Sequence, residues 1–184
     1  MEKQINVKKE EHQISLKKNE LKEILIKSWM THDGAWFNHC LQECGIEKTN
    51  KINKAASRTL GMIEIKRLKK IFNINDIKTF NELKLLIEKV FEIVKADFMK
   101  FSHDVDTFNE FHCEMHQCFA YDGIKRIGVI DRYKCGIFDR IEGWFESLGI
   151  KYDVSPQIEG CMMHEKGTCF RNYRFYFNIK NNKT

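Results

Sequence analysis

The chain has 184 residues with a net charge of +5, 42% apolar and 31% charged residues, and only one proline and ten glycines. This is the composition of an ordinary globular domain, and it excludes collagen-like, proline-rich and linker-like classes. No run of about 18 apolar residues occurs, so no membrane span is expected. The first residues, Met1 to Gln13, are polar and lack an apolar core, so no secretory signal is expected either. The expectation is a soluble, cytoplasmic protein whose seven cysteines are reduced thiols and not a disulfide framework.

In chain order, residues 1–19 mix Lys and Glu without periodicity and read as a charged, flexible lead-in. From Asn19 to Glu43, Leu21, Leu25, Trp29, His32, Trp36, His39 and Cys40 recur at helical spacing, and Gly45 is placed to close that helix. A second helix is expected over Lys48 to Phe72, with Gly61 in its middle marking a close helix crossing. Thr79 and Glu82 form a capping box for a third helix striped with Phe80, Leu83, Ile87, Val90, Phe91 and Val94. The period then changes, and Phe98 to Ser102 and Thr107 to Met115 read as strands. A short helix follows over Gln117 to Arg126. Asp131 could cap a longer one over Arg132 to Leu148, closed by Gly149. Ile150 to Val154 alternates as a strand stopped by Pro156. Ile158 to Met163 and Cys169 to Ile179 read as a hairpin turning at His164 to Thr168. Within its second arm Tyr173, Phe175, Phe177 and Ile179 share one face, and Arg174, Tyr176 and Asn178 the other. The expected class is α+β: a three-helix segment (20–96) packed on an antiparallel sheet with one long and one short helix (97–184), forming one unit.

The cysteines and histidines of the back half carry the most chemistry. His112 to Cys118 places four metal-competent side chains or thiols in seven residues, and Cys135, Cys161, His164 and Cys169 follow. Thiolates and imidazoles are the ligands of zinc and iron–sulfur sites, so Cys118, Cys135, Cys161 and Cys169 form a candidate metal set. The Cys-x2-Cys spacing of zinc knuckles is missing, and a buried, structural role for each thiol stands beside the ligand role. In the expected hairpin register Cys161, Met163 and Cys169 fall on one face, able to line a pocket with Cys135. Cys135 is also read as lying in the first turn of a helix beside Lys134 and near Arg132, a setting that lowers a thiol pKa.

The segment Trp29 to Phe37 is the second unusual feature. Two tryptophans lie seven residues apart with His32 and Asp33 between them, against helix propensity. Such a His–Asp pair could act as acid and base or bind a planar ligand, or it could be a satisfied core histidine. The second helix carries eight basic residues against two acidic ones between Glu47 and Lys70, which would suit phosphate or nucleic-acid docking. No fold motif for nucleic-acid recognition accompanies it, and no P-loop, Gly-x-Gly-x-x-Gly, Gly-x-Ser-x-Gly or His-Glu-x-x-His is present.

Trp29 to Phe37, Cys44 to Lys48 and Gly61 to Lys70 together resemble a family of uncharacterised cytosolic proteins from anaerobic bacteria and archaea. The back half, with Cys135, Cys161 and Cys169-Phe170, resembles the L-2-amino-thiazoline-4-carboxylic acid hydrolase-like proteins, and distantly the 4-vinyl-reductase-type small-molecule-binding domain. The resemblance implies an α+β ligand-binding domain and a C–N hydrolase that opens a thiazoline ring by activated water or a thiolate.

The leading reading is therefore a Cys/His-lined small-molecule pocket, with Cys135 or Cys161 as nucleophile and His116 or His32, with Asp33, as base. Trp29 and Trp36 would be substrate walls and Arg171 or Arg174 the carboxylate anchor. The alternatives are a non-catalytic sensor holding zinc or an iron–sulfur cluster, and phosphate or nucleic-acid docking through the second helix. A small-molecule ligand is the expected partner, a homodimer is an option, and a membrane is not expected.

Overall fold

Gly45 decides the shape of the first element. The structure, a computed structural model, describes residues 16–105 and 108–177. In it helix α1 runs from Lys18 to Ile71, interrupted only at Gly45, whose φ of 72° lies in the left-handed region that favours glycine. Thr49 Oγ1 donates to the Gly45 carbonyl at 2.8 Å, so the second segment starts with no intervening loop. The two expected helices are thus one bent element. Most of the charged lead-in lies outside the described residues; Lys18 and Asn19 already belong to α1.

Helix α2 (Phe80–Val94) begins as its capping box requires. Glu82 N–H donates to Thr79 Oγ1 at 3.3 Å, and Thr79 N–H donates back to Glu82 at 2.9 Å. Its apolar stripe is buried against the sheet. That sheet has the order β1-β2-β4-β3 and is antiparallel throughout: β1 Lys100–Val105, β2 Glu110–Gln117, β3 Lys151–Ser155 and β4 Phe170–Tyr176. Alternation sends Phe111, Cys113, Met115, Arg171, Tyr173 and Phe175 inward under the helices. His112, Asn172 and Arg174 face outward, where His112 bonds Asn172 and Arg174 bonds Glu110. Asn178 and Ile179 lie outside the described residues.

Between strands sit α3 (Phe119–Arg126), a 3-10 turn (Ile130–Arg132), α4 (Ile137–Ser147) and α5 (Met162–Lys166). The α+β class holds, and one apolar core joins Ile65 and Leu68 of α1 to α2, α4 and the sheet.

Two local expectations are overturned. Residues 158–169 are not half of a hairpin. His164 and Glu165 N–H both donate to the Cys161 carbonyl at 3.0 Å, nucleating α5, and Gly167 (φ 72°) ends it. β4 pairs instead with β2 and β3, which bury its inner face on both flanks. The register argument for Cys161, Met163 and Cys169 therefore has no strand pair to rest on. Cys135 is not in a first helical turn either. Asp131 is in the 3-10 turn, bonded to His164, and α4 starts only at Ile137 after Gly136.

The α1–α4 crossing is made by glycine on both sides. A Cβ on Gly61 would stand 2.0 Å from the Arg140 carbonyl oxygen, and one on Gly143 would stand 2.4 Å from that of Arg58. Charges bracket the contact. Arg58 bonds Asp139, Glu142 and Glu146, and Lys54 pairs with Asp139 at 3.3 Å. Arg140 Nε and Trp144 Nε1 both donate to Glu64 at 2.9 Å. Two of the eight basic residues of that segment are thereby paired with α4 acids instead of standing on a free basic face.

Gly61→Ala and Gly143→Ala should each lower stability by about 1–3 kcal/mol, because the backbones must separate. Gly34→Ala on the same helix, with nothing within 4 Å, should be neutral or raise stability by up to about 1 kcal/mol through helix propensity. Urea unfolding of the three variants checks the contrast.

Candidate functional site

The half of α1 before Gly45 does not pack down on the sheet as closely as the half after it. Its inward residues Trp29, Met30 and Phe37 are only half-buried. Beneath them is a cavity of about 790 Å³, within the size range of ligand sites. Its walls are Trp29, Met30 and Phe37 of α1, Phe91 and Val94 of α2, Phe101, Cys113 and Met115 of the sheet, Ile124 of α3, and Phe138, Ile141 and Trp144 of α4. Polar lining is sparse, with Asp33, Asn53, Ser57, Arg140 and Asp122 among it. Exposed Phe119 and Ile127 belong to the wall, so the cavity communicates with solvent beside α3. A groove of about 720 Å³ adjoins it, sharing Phe91, Met99, Lys100, Phe101 and Gln117 and adding Lys95 and His116.

Near this cavity the fold gathers four thiols. Cys118 caps α3 and accepts a hydrogen bond from Tyr121 N–H at 3.5 Å. Cys135 lies in the loop before α4, Cys161 caps α5, and Cys169 precedes β4. Each is close enough to the others to influence their ionisation. Loops and helix starts, not a hairpin, bring these four thiols near one another, and none of them lines the cavity.

Convergence does not make a reactive or metal-binding centre. Burial pushes the Cys135 thiol up to about 11 and the Cys169 thiol, with its neighbouring thiols adding, up to about 12. Burial also raises Cys118. Cys113, which lines the cavity, is pushed up to about 12 for the same reason. Neutral thiols at pH 7 are poor nucleophiles. Among the described residues no group of three or more His, Cys, Asp or Glu side chains is placed to hold a metal ion.

The remaining candidates separate. His32 is exposed, 3.9 Å from Asp33 and edge-on to Trp36, which is itself 61% exposed. Trp36 and His32 therefore stand outside the cavity, while Trp29 and Asp33 line it; Trp29 also stacks under Arg140 at 4.8 Å. Burial raises the Asp33 pKa, opposed by His32 and Arg140. His116 lies near the edge of the sheet, bonded to Ser102 Oγ at 2.8 Å. Among the described residues no histidine is hydrogen-bonded to a cysteine, so no Cys–His pair is assembled. Arg174 is on the outer face with Glu110. Arg171 is on the inner face, buried, its guanidinium 4.7 Å from the Phe138 ring centre.

Sequence reasoning found Trp29 and Asp33 but missed most of the wall. Phe91, Ile141 and Trp144 read as ordinary helix core, and only the stand-off of α1 turns that core into a cavity lining. Phe101 carried no separate signal, and Cys113 stood out only as one of the thiols and histidines between His112 and Cys118.

The chain matches a family of unknown function, DUF6125, over residues 12–148, and belongs to that family. No curated protein matches it. Among solved structures it is similar to a trafficking protein particle complex subunit 3 from Naegleria fowleri, crystallised covalently bound to palmitic acid. The identity is 15% and the TM-score 0.51, over 85% of this chain and 95% of that one, so the likeness is one of fold. Among the described residues no helix is long and apolar enough to cross a membrane.

In native protein at pH 7.5, iodoacetamide should alkylate the exposed Cys44 readily and leave Cys113, Cys118, Cys135, Cys161 and Cys169 largely unmodified until the chain unfolds. Peptide mass spectrometry reads this out. Faster labelling of Cys135 than of Cys44 would restore the nucleophile reading.

Proposed function

We propose that this DUF6125 protein is a non-catalytic binding protein for a long apolar chain of the fatty-acyl type. The observation that carries the reading is the cavity itself, about 790 Å³ and walled by aromatic and aliphatic side chains from four helices and the sheet. An apolar cavity of that size is worth filling: the transfer of each methylene from water contributes about 0.8 kcal/mol. The wall is mostly apolar, and polar side chains at its margin, Lys100, Arg126 and Arg140 among them, can orient a head group. The structural neighbour crystallised with palmitic acid adds a precedent for an acyl chain in this fold.

The thiol-hydrolase reading has less support. It requires a thiolate beside a base, whereas burial pushes the Cys135 thiol up to about 11, and His116 and His164 bond Ser102 and Asp131. For the same reason we take acyl binding here to be non-covalent, although Cys113 is in the wall.

Palmitic acid or a long-chain alcohol added to the delipidated protein should bind saturably and change the fluorescence of Trp29 and Trp144, both in the cavity wall. Gly34→Leu should weaken binding by at least tenfold, because Gly34 lines the cavity with open space beside it. Its stability should be unchanged or higher, by up to about 1 kcal/mol, since leucine replaces a helical glycine. An unchanged tryptophan signal at any ligand concentration would sink the proposal.

A further inference from the structure

We propose that the ligand is an acid, and that Arg171 is the partner of its carboxylate. The proposal rests on the acyl-binding reading and adds the chemistry of the head group.

Arg171 is 6% exposed, yet it has no carboxylate within ion-pair distance among the described residues. The contrast with its peers is sharp: Arg58, Arg140 and Arg174 each bond one or more carboxylates. Arg171 Nη1 donates to the Phe170 carbonyl at 2.8 Å and contacts Met162 Sδ at 3.5 Å. Its Nε and Nη2 make no hydrogen bond among the described residues. A buried cation is normally paired, and an unpaired one is strongly disfavoured.

A second, independent observation lies two residues along the same strand face. Tyr173 is 0% exposed, and its hydroxyl is buried without a hydrogen-bond partner. Buried polar groups of native proteins are nearly always satisfied, and an orphan asks for an explanation. A guanidinium without a carboxylate and a buried phenol without any partner share one inner face, and both can donate to an acceptor placed there.

The position is right for a ligand in the cavity. Cys113 is the direct cross-strand partner of Arg171, and the Phe138 ring carries its guanidinium. Both Cys113 and Phe138 are cavity wall. The cation thus stands behind the wall without lining the cavity, and a head group would reach it only if the Cys113 and Phe138 side chains part. A carboxylate would form the two-pronged hydrogen bond for which a guanidinium is shaped.

The test compares palmitic acid with hexadecanol, which share a tail and differ in the head, on the delipidated full chain. Wild type should bind the acid about 10- to 100-fold more tightly, the ratio expected of one charge-assisted contact. Arg171→Met should abolish that preference and leave the alcohol affinity unchanged. The ligand-free Arg171→Met protein should melt no lower than wild type, because it loses an unpaired buried charge; an arginine with a purely structural role would predict a fall. Should Arg171→Met fail to fold, Arg171→Lys decides: it should keep part of the preference and lose at least fivefold of it. Equal binding of acid and alcohol to wild type, or a full preference in either variant, overturns the proposal while the acyl-binding reading stands. Failure of both ligands to bind overturns both.

Discussion

Everything in this molecule is hung from the place where α1 and α4 touch backbone to backbone. Gly61 and Gly143 remove the side chains that would hold the two helices apart, and the carbonyls of Arg140 and Arg58 fill the space. Such a contact fixes the crossing closely, because interiors are near close-packed and neither backbone can give way cheaply. The charges beside it align the helices along their length. Arg58 spans the α4 acids on one side, and Glu64 receives Arg140 and Trp144 on the other.

With the second half of α1 held there, the break at Gly45 determines where the first half goes. That half runs over α2, β1 and α3 without settling into the core, and the gap it leaves is the cavity. The cavity is thus a consequence of one fixed crossing and one bend, and its walls are the ordinary core faces of α2, α4 and the sheet. A buried cation and an orphaned phenol lie on the innermost strand beside it. Neither lines the cavity itself; both lie on the strand face behind its wall.

The chemistry that looks richest on paper is quiet in the fold. Cys118, Cys135, Cys161 and Cys169 do come together, but burial pushes the Cys118, Cys135 and Cys169 thiols up. Burial costs a thiolate far more than a thiol, so a crowd of cysteines inside a domain behaves as small apolar side chains unless cations or a metal intervene. Arg171 is the single buried cation near them, and it does not outweigh the desolvation of Cys135 or Cys169.

Much of the secondary structure was legible because it depends on near neighbours. The Thr79–Glu82 box, the α2 stripe, the Gly45 break, the Gly61 crossing and the alternation of β4 are local patterns with local physical causes. The errors have a shared origin. Residues 158–163 read as a strand arm with a turn at 164–168, but β4 pairs with β2 and β3, and Met162–Lys166 closes into α5. Cys135 seemed to open a helix because Asp131 is a good cap, yet Asp131 instead sits in a 3-10 turn and bonds His164. Both outcomes depend on contacts distant in sequence. The sequence by itself determined the class of fold, the helix caps and breaks, and which face of each element is apolar. Tertiary structure alone decided that α1 stands off the core to leave a cavity, that Cys113, Cys118, Cys135 and Cys169 sit where burial raises their thiol pKa, and that Arg171 is buried without a carboxylate partner among the described residues. Burial and charge pairing are properties of a position in three dimensions, and no local pattern of residues encodes them.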